Sequence, residues 1–296
     1  MARERTARSL SASKRRREPT HALVAGNVAL DKTSRGGWTP GGPSLYAARQ
    51  FAALGADVTL ITGMEPEYDA WALEGIDVRA DPDSQLPRYA NTYDRAGNRR
   101  QFLLAEGAPL HVLPHLRPDE APDVVMIAPA FHEFRRAPLR FLGSIVGVSL
   151  QGPLRAVTGR GRVIHHSHPL AVAEKFVRPG WIAFFSEEDT AAPEDLARSI
   201  AGQRAVAVLT RGYNGATLFD SDGSEEHWDA FPADLVEPTG AGDCFASAFM
   251  FRLAETEDLA AAMGFALAAG ALAVEGEGLE AIATRDEIED RMREAS

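Results

Sequence analysis

Asp243 is the residue of this chain best placed to do chemistry, because of what precedes it. In the segment Glu237-Pro238-Thr239-Gly240-Ala241-Gly242-Asp243-Cys244-Phe245, two glycines bracket an alanine just ahead of a run rich in Ala, Phe and Met. Glycine lets backbone amides turn toward a ligand, and the first turn of a helix adds unpaired N–H donors and a favourable dipole. Such a place suits an anion, or a transition state on which negative charge develops. A carboxylate there would repel a simple anion. It makes sense as a base that takes a proton from a hydroxyl attacking a phosphoryl group. The alternative is an ordinary first-turn acid behind a tight glycine turn, and a bare Gly-x-Gly-Asp would favour it.

Other clusters carry less. His165, His166 and His168 lie close together, but no cysteine or second ligand cluster accompanies them, so ordinary histidines are favoured over a zinc site. Cys244 follows Asp243 at a helix start and reads as a small core residue. Phe185-Ser186-Glu187-Glu188-Asp189 reads by itself as a helix N-terminus, with Ser186 as cap and acids in its first turn.

The elements that must position these residues follow a βαβ rhythm. His21–Gly26 is a short apolar run suited to a first strand, Gly41–Ser44 opens an alanine-rich helix to about Leu54, and 58–62 reads as the next strand. Between about 75 and 105 the texture changes to polar–apolar alternation around a turn at Asp94–Asn98, the pattern of an antiparallel hairpin solvated on one face. Such an insertion serves as a lid or an oligomer interface. Candidate strands then fall at 123–128, 144–150, 162–165, 181–185 and 205–210, with helices expected at 132–142, 169–177 and 193–202. Runs such as Val124-Val125-Met126-Ile127 belong in a parallel sheet covered on both faces. A hairpin at 216–228 and helices at 241–254, 257–275 and 284–294 complete the pattern.

Composition bounds the reading. The 296 residues are 45% hydrophobic and 25% charged, which allows one large α/β domain with a small appendage and excludes wholesale disorder. One cysteine cannot form an internal disulfide, which fits a reducing compartment. No membrane span or signal-peptide pattern is expected, so the location expected is cytoplasmic. Residues 1–19 carry seven basic and two acidic residues and read as a flexible tail; without them the body at 20–296 holds 24 basic and 40 acidic residues, a net −16. Nucleic acid is therefore not an expected partner.

The Gly240–Asp243 string resembles the signature of the ribokinase-like (PfkB) family of carbohydrate and nucleoside kinases, with Glu237 in place of the family's leading Asp. Four further segments resemble the family in the expected order: Gly26–Asp31, Gly41-Gly42, Leu209–Ala216 and the stretch from Gly264 to Ile282. The resemblance implies a three-layer α/β/α sandwich with a mostly parallel central sheet and a small β-lid near 30–40 and 75–105. It implies an ATP-dependent kinase acting on a hydroxyl of a small sugar or polyol, with Mg²⁺, a homodimer through the lid, and K⁺ near Gly276–Gly278. Asp243 would be the base, with Gly240, Ala241 and Gly242 as the anion hole. Asp31, Gly41, Gly42 and Tyr46 would face the acceptor, Tyr46 standing where many members have Asn. Ring stacking on the acceptor and core packing are both open to Tyr46. Thr210, Arg211, Gly212, Gly215 and Thr239 would face the nucleotide, with Arg211 and Arg155 as cationic phosphate contacts; Arg155 is alternatively a surface charge. Glu188 or Asp189 would act on Mg²⁺ through water, where the family has an Asn-x-x-Glu pattern. The stretch Gly147–Arg155, with Gln151-Gly152 and Arg155, resembles the plant-type myo-inositol kinase branch. A nucleoside kinase, or a catalytically impaired sugar- or nucleotide-binding regulator, is the competing expectation.

Overall fold

Successive residues of a strand point to opposite faces of a sheet, and here that alternation divides the interior in two. Ala22, Val24, Val124 and Met126 pack into one core, while Leu23, Ala25, Val125 and Ile127 pack into another. A sheet apolar on both faces must be covered on both, which gives three layers. The computed structural model describes residues 19–33, 36–93, 99–138 and 143–294. Residues 1–18, which make up nearly all of the basic segment, and the expected turn at 94–98 lie outside the described residues.

In chain order the elements are β1 (His21–Ala25), β2 (Ala29–Lys32), β3 (Trp38–Gly41), α1 (Pro43–Ala53), β4 (Asp57–Gly63), β5 (Asp77–Asp81), β6 (Arg88–Tyr93) and β7 (Arg99–Ala105). Next come β8 (Val124–Ile127), β9 (Ile145–Ser149), the short α2 (Gln151–Leu154), β10 (Arg155–Val157), β11 (Val163–His165), α3 (Pro169–Phe176) and β12 (Ile182–Ser186). The last are α4 (Pro193–Gly202), β13 (Val206–Thr210), β14 (Ala216–Phe219), β15 (Glu225–Trp228), α5 (Ala241–Thr256), α6 (Leu259–Ala273) and α7 (Arg285–Glu294).

Among the described residues, nine strands form the central sheet in the order β15-β14-β13-β12-β9-β8-β1-β4-β5. Its pairs from β13 through β5 are parallel, and β14 and β15 add an antiparallel edge. Helices α1, α5 and α6 cover one face, and α3 and α4 the other. Fully buried Phe51, Phe249 and Phe265 anchor the first core, each contributing about 1.5–3 kcal/mol through burial. A second sheet, β3-β2-β6-β7, stands off this body as the lid.

The expected three-layer fold is borne out, with three local differences. Residues 77–81 pair with β4 at the edge of the central sheet, so this lid segment starts at Arg88 and not near 75. The strand expected at 162–165 pairs antiparallel with β10 in a separate hairpin, outside the central sheet. The helix expected at 132–142 is absent over 132–138, which forms bends; 139–142 lie outside the described residues. Its reason is Glu133. This buried side chain turns inward and accepts from the amides of Asn27, Ala130 and Phe131 at 2.8–2.9 Å, fixing the loop in a non-helical path. Pro138 further disfavours helix in the residue before it.

Candidate active site

Strands β9, β12 and β13 run parallel, so their last residues, Ser149, Ser186 and Thr210, emerge at one edge of the sheet. Ligands of open α/β sheets bind at the carboxyl ends of the strands. All three residues line one pocket, closed on the other sides by the lid and by the start of α5.

That helix starts at Gly240, its N-cap, whose φ of 82° lies in the left-handed region. A Cβ there would run into the ring of Tyr46. Glycine is thus required twice, for conformation and for space. Tyr46 is only 5% exposed and packs with Cys244 and Ala273, so core packing accounts for its ring. Its edge still lines the pocket. Burial raises the phenol's pKa, with Asp31 and Glu237 adding to the effect, and the hydroxyl keeps its proton. The Ala241 amide bonds back to the Pro238 carbonyl at 3.3 Å, while Gly242 faces open space in the pocket.

Asp243 sits half-buried in the first turn of α5 and lines the same pocket. Burial pushes its carboxyl up to about 7; the Arg155 guanidinium pulls it down and Asp189 pushes it up further. A carboxyl that titrates near neutrality is suited to accepting a proton. Arg155 shares the pocket with this carboxyl and reaches the lid. Its Nη1 donates to the Ala130 carbonyl at 3.2 Å, and its guanidinium lies 5.2 Å from the centre of the Tyr89 ring. Gly152 permits this, since a Cβ there would collide with the Pro129 carbonyl that packs against it. The Gln151-Gly152 and Arg155 stretch is therefore a local device that brings a cation into the pocket, rather than a surface charge.

From the lid, Asp31 lines the pocket with its carboxylate against Gly41, which leaves room for it and does not itself line the pocket. Gly42, Thr239 and Asp189 also line it. The structure does not bring Ala241, Glu188, Arg211, Gly212 or Gly215 to the lining, and the Ala241 amide is already engaged by Pro238. The Arg211 guanidinium is held by Glu194 at 2.7 Å, with Glu187 at 3.7 Å, so two carboxylates already neutralise it. Gly215 makes a turn against the Trp228 carbonyl. Composition and spacing did not single out Tyr89, Gln101 or Ser149, which also line the pocket. The lid alternation could have placed Tyr89 and Gln101 on the same face as Asp31.

The acidic trio does not by itself form a metal site. Glu188 is exposed and outside the pocket, and one oxygen of Asp189 accepts from the Ser186 amide at 2.8 Å in a capping box. Among the described residues no group of three His, Cys, Asp or Glu side chains could hold a metal ion. Of the trio, Asp189 alone lines the pocket, and a single carboxylate there would suit a hydrated Mg²⁺, held through one of its waters, rather than a directly ligated ion. At the other expected cation position, Glu237 accepts from the Gly278 amide at 3.2 Å, so its carboxylate is already engaged by the loop.

Comparisons with known proteins agree with this architecture. Residues 179–285 match the pfkB family carbohydrate kinase model. The chain is 30% identical over 110 residues to a 5-dehydro-2-deoxygluconokinase of Clostridium tetani, covering 37% of this chain and 32% of that protein. It is 37% identical over 97 residues to a ribokinase of Bacillus subtilis, covering 32% of each. The chain thus spans about a third of the length of the curated relatives it matches. In fold it is similar to a pyrophosphate-dependent myo-inositol kinase, with a TM-score of 0.71 and 17% identity over 93% of this chain and 99% of that one.

Proposed function

We propose, from a chain that resembles the ribokinase-like (PfkB) carbohydrate kinases in sequence and in fold, that it transfers the γ-phosphoryl group of ATP to a hydroxyl of a small sugar or polyol. The observation that carries this reading is the shared pocket: Asp243, Gly240 and Gly242 on one wall, the Asp31 carboxylate on the other. Asp31 accepts hydrogen bonds from acceptor hydroxyls. Asp243 takes the proton of the hydroxyl that attacks, the new O–P bond forms as the bond to the β-phosphate breaks, and ADP leaves. Arg155 and the amides of Gly240 and Gly242 offset charge on the group in transfer. Mg²⁺, when bound with ATP, neutralises the donor phosphates, and Asp189 would bond to a water of its shell.

Thr210 and Thr239 face the donor side, and Gly212 and Gly215 shape the turn beyond it. Arg211 acts there through Glu187 and Glu194, not on phosphate. Among the described residues Arg155 is the cation that lines the pocket, which calls for a donor that brings Mg²⁺ as its own counter-ion, as ATP does. A cytoplasmic location belongs to this reading, because ATP is the donor. Among the described residues no helix is long and apolar enough to cross a membrane. A potassium effect rests on the family resemblance, and no step is routed through it. A homodimer through the lid is supported by Trp38 and Leu104, 42% and 51% exposed on β3 and β7. Sedimentation of the wild type and of Leu104→Glu tests it.

The test is product formation with ATP or pyrophosphate against a panel of neutral sugars, inositols, sugar acids and nucleosides, detected by mass spectrometry. The inositols follow from the Gln151-Gly152 and Arg155 stretch, the sugar acids from the relative's name and from the pocket cation. The expected result is a phosphorylated sugar, inositol or sugar acid with ATP. A nucleoside product would move the acceptor class. Binding with no product from any acceptor would leave a regulator.

Gly240→Ala is the simplest probe of the turn. A left-handed residue other than glycine costs about 1–3 kcal/mol, and the added methyl meets the Tyr46 ring. With anion-hole donors displaced, kcat should fall by roughly 10²-fold, while near-native thermal unfolding separates this from loss of fold. The double variant Gly240→Ala/Tyr46→Ala removes the collision and should recover part of the loss.

A further inference from the structure

The small core that joins the lid to the body lies beside the reactive groups. Tyr89 and Leu103 come from lid strands β6 and β7, Phe131 from the loop after β8, and Val157 and Val163 from the β10–β11 hairpin packs against them. Hydrogen bonds follow the same path. The Leu103 amide donates to the Gly161 carbonyl at 2.8 Å, and Phe102 bridges to Arg162, so the hairpin is fastened to the free edge of the lid sheet. At its other end this hairpin begins with Arg155.

Tyr89 connects these two ends. Its hydroxyl donates to the Ala130 carbonyl at 2.6 Å, the same oxygen that accepts from Arg155, and its ring lies under the guanidinium. Burial pushes the phenol up to about 12, so it remains a donor. The acceptor is itself fixed, because the Ala130 and Phe131 amides are held by Glu133, which also holds Asn27 between β1 and lid strand β2. A cation over an aromatic face within about 6 Å is attracted to it, more strongly as water is excluded. Where the lid places Tyr89, the guanidinium is drawn.

We propose that Tyr89 is a positioning residue: carried on the lid and latched by the β10–β11 hairpin, it sets the Arg155 guanidinium beside Asp243 when the lid is closed. This rests on the kinase reading above for its catalytic consequence, but not for its geometry. The lid thereby completes the site with a charge that the body alone would leave loosely held.

Two readouts test it, one independent of activity. In nitrogen–proton spectra of the arginine side chains, the Arg155 resonance should show an upfield ring-current shift in the wild type and in Tyr89→Phe, which keeps the ring. The shift should vanish in Tyr89→Leu. Amide exchange at Leu103 should accelerate at least about tenfold in Gly161→Val, because local opening governs exchange. A side chain there meets the Leu103 carbonyl, and φ is +76°. In steady state, Tyr89→Leu should lower kcat about tenfold or more, the scale of misplacing one stabilising group, with the KM for ATP within threefold. Tyr89→Phe should stay within threefold of wild type in both. An unshifted Arg155 resonance in the wild type, or equal damage from Phe and Leu, overturns the positioning role. Leu103 exchange unchanged in Gly161→Val overturns the latch. If the wild type phosphorylates nothing, the kinase reading fails, and the spectra and exchange still decide the geometry.

Discussion

Asp243→Asn is expected to remove phosphoryl transfer while leaving the fold intact. The substitution keeps the shape of the side chain and removes only its capacity to accept the proton of the attacking hydroxyl. A positioned general base is worth about 10²–10⁴-fold, so kcat should fall by that factor with donor and acceptor KM changed little. The thermal behaviour should run the opposite way. Burial holds the Asp243 carboxyl near 7 in the folded chain, well above its ordinary value. Ionising it therefore costs the folded state stability that is present at low pH and lost as pH rises from about 4 toward 7. Asparagine carries no such cost, so the Tm of the variant at pH 8 should equal or exceed that of wild type. A dead and destabilised variant would mean that Asp243 holds the helix start together. An active one would remove the base from the mechanism.

Arg155→Met is expected to have the next largest effect, and one with a distinct pH signature. Methionine keeps most of the volume and takes away the charge. Loss of one preorganised donor to developing charge costs about 10²–10³-fold in kcat. Arg155 also holds the Asp243 carboxyl down against burial and against Asp189. Without it the carboxyl must titrate higher. Because the base works only when ionised, activity rises with pH through its pKa, and the acid limb of kcat should move to higher pH. The deficit of the variant should thus be larger at pH 6 than at pH 9. Charged or titratable groups acting on this site also include Tyr46 and Asp31, and neither changes in the variant. A uniform deficit at all pH values would show that Arg155 acts on substrate alone and does not tune the base.

How legible the molecule is varies with the range of the interactions. Nearly every central strand and most helices could be read from runs of apolar residues and from glycine stops, because covering both faces of a parallel sheet imposes a local pattern. The failures have non-local causes. The absent helix at 132–138 follows from one carboxylate, Glu133, which bonds to the nearby Ala130 and Phe131 amides and is held inward by an amide 106 residues away at Asn27. Val163–His165 looks like a core strand, yet it forms a hairpin that binds the lid. No short window of sequence contains Asn27 beside Glu133, or Phe102 beside Arg162.

For the site itself, sequence alone determined the candidate reacting centre. A glycine turn, a helix start and a carboxylate must lie together wherever the chain goes, since they are consecutive. Tertiary structure decided which charges join them. Arg211 and Arg155 looked alike as phosphate contacts, and Glu188 and Asp189 as metal partners. Folding gave Arg211 to Glu194 and brought Arg155 over Tyr89, and it turned Asp189 inward and Glu188 out. A long side chain's partner is set by what other segments present within a few ångströms of it, and electrostatic strength depends on how far that meeting excludes water. Both are properties of the packed chain.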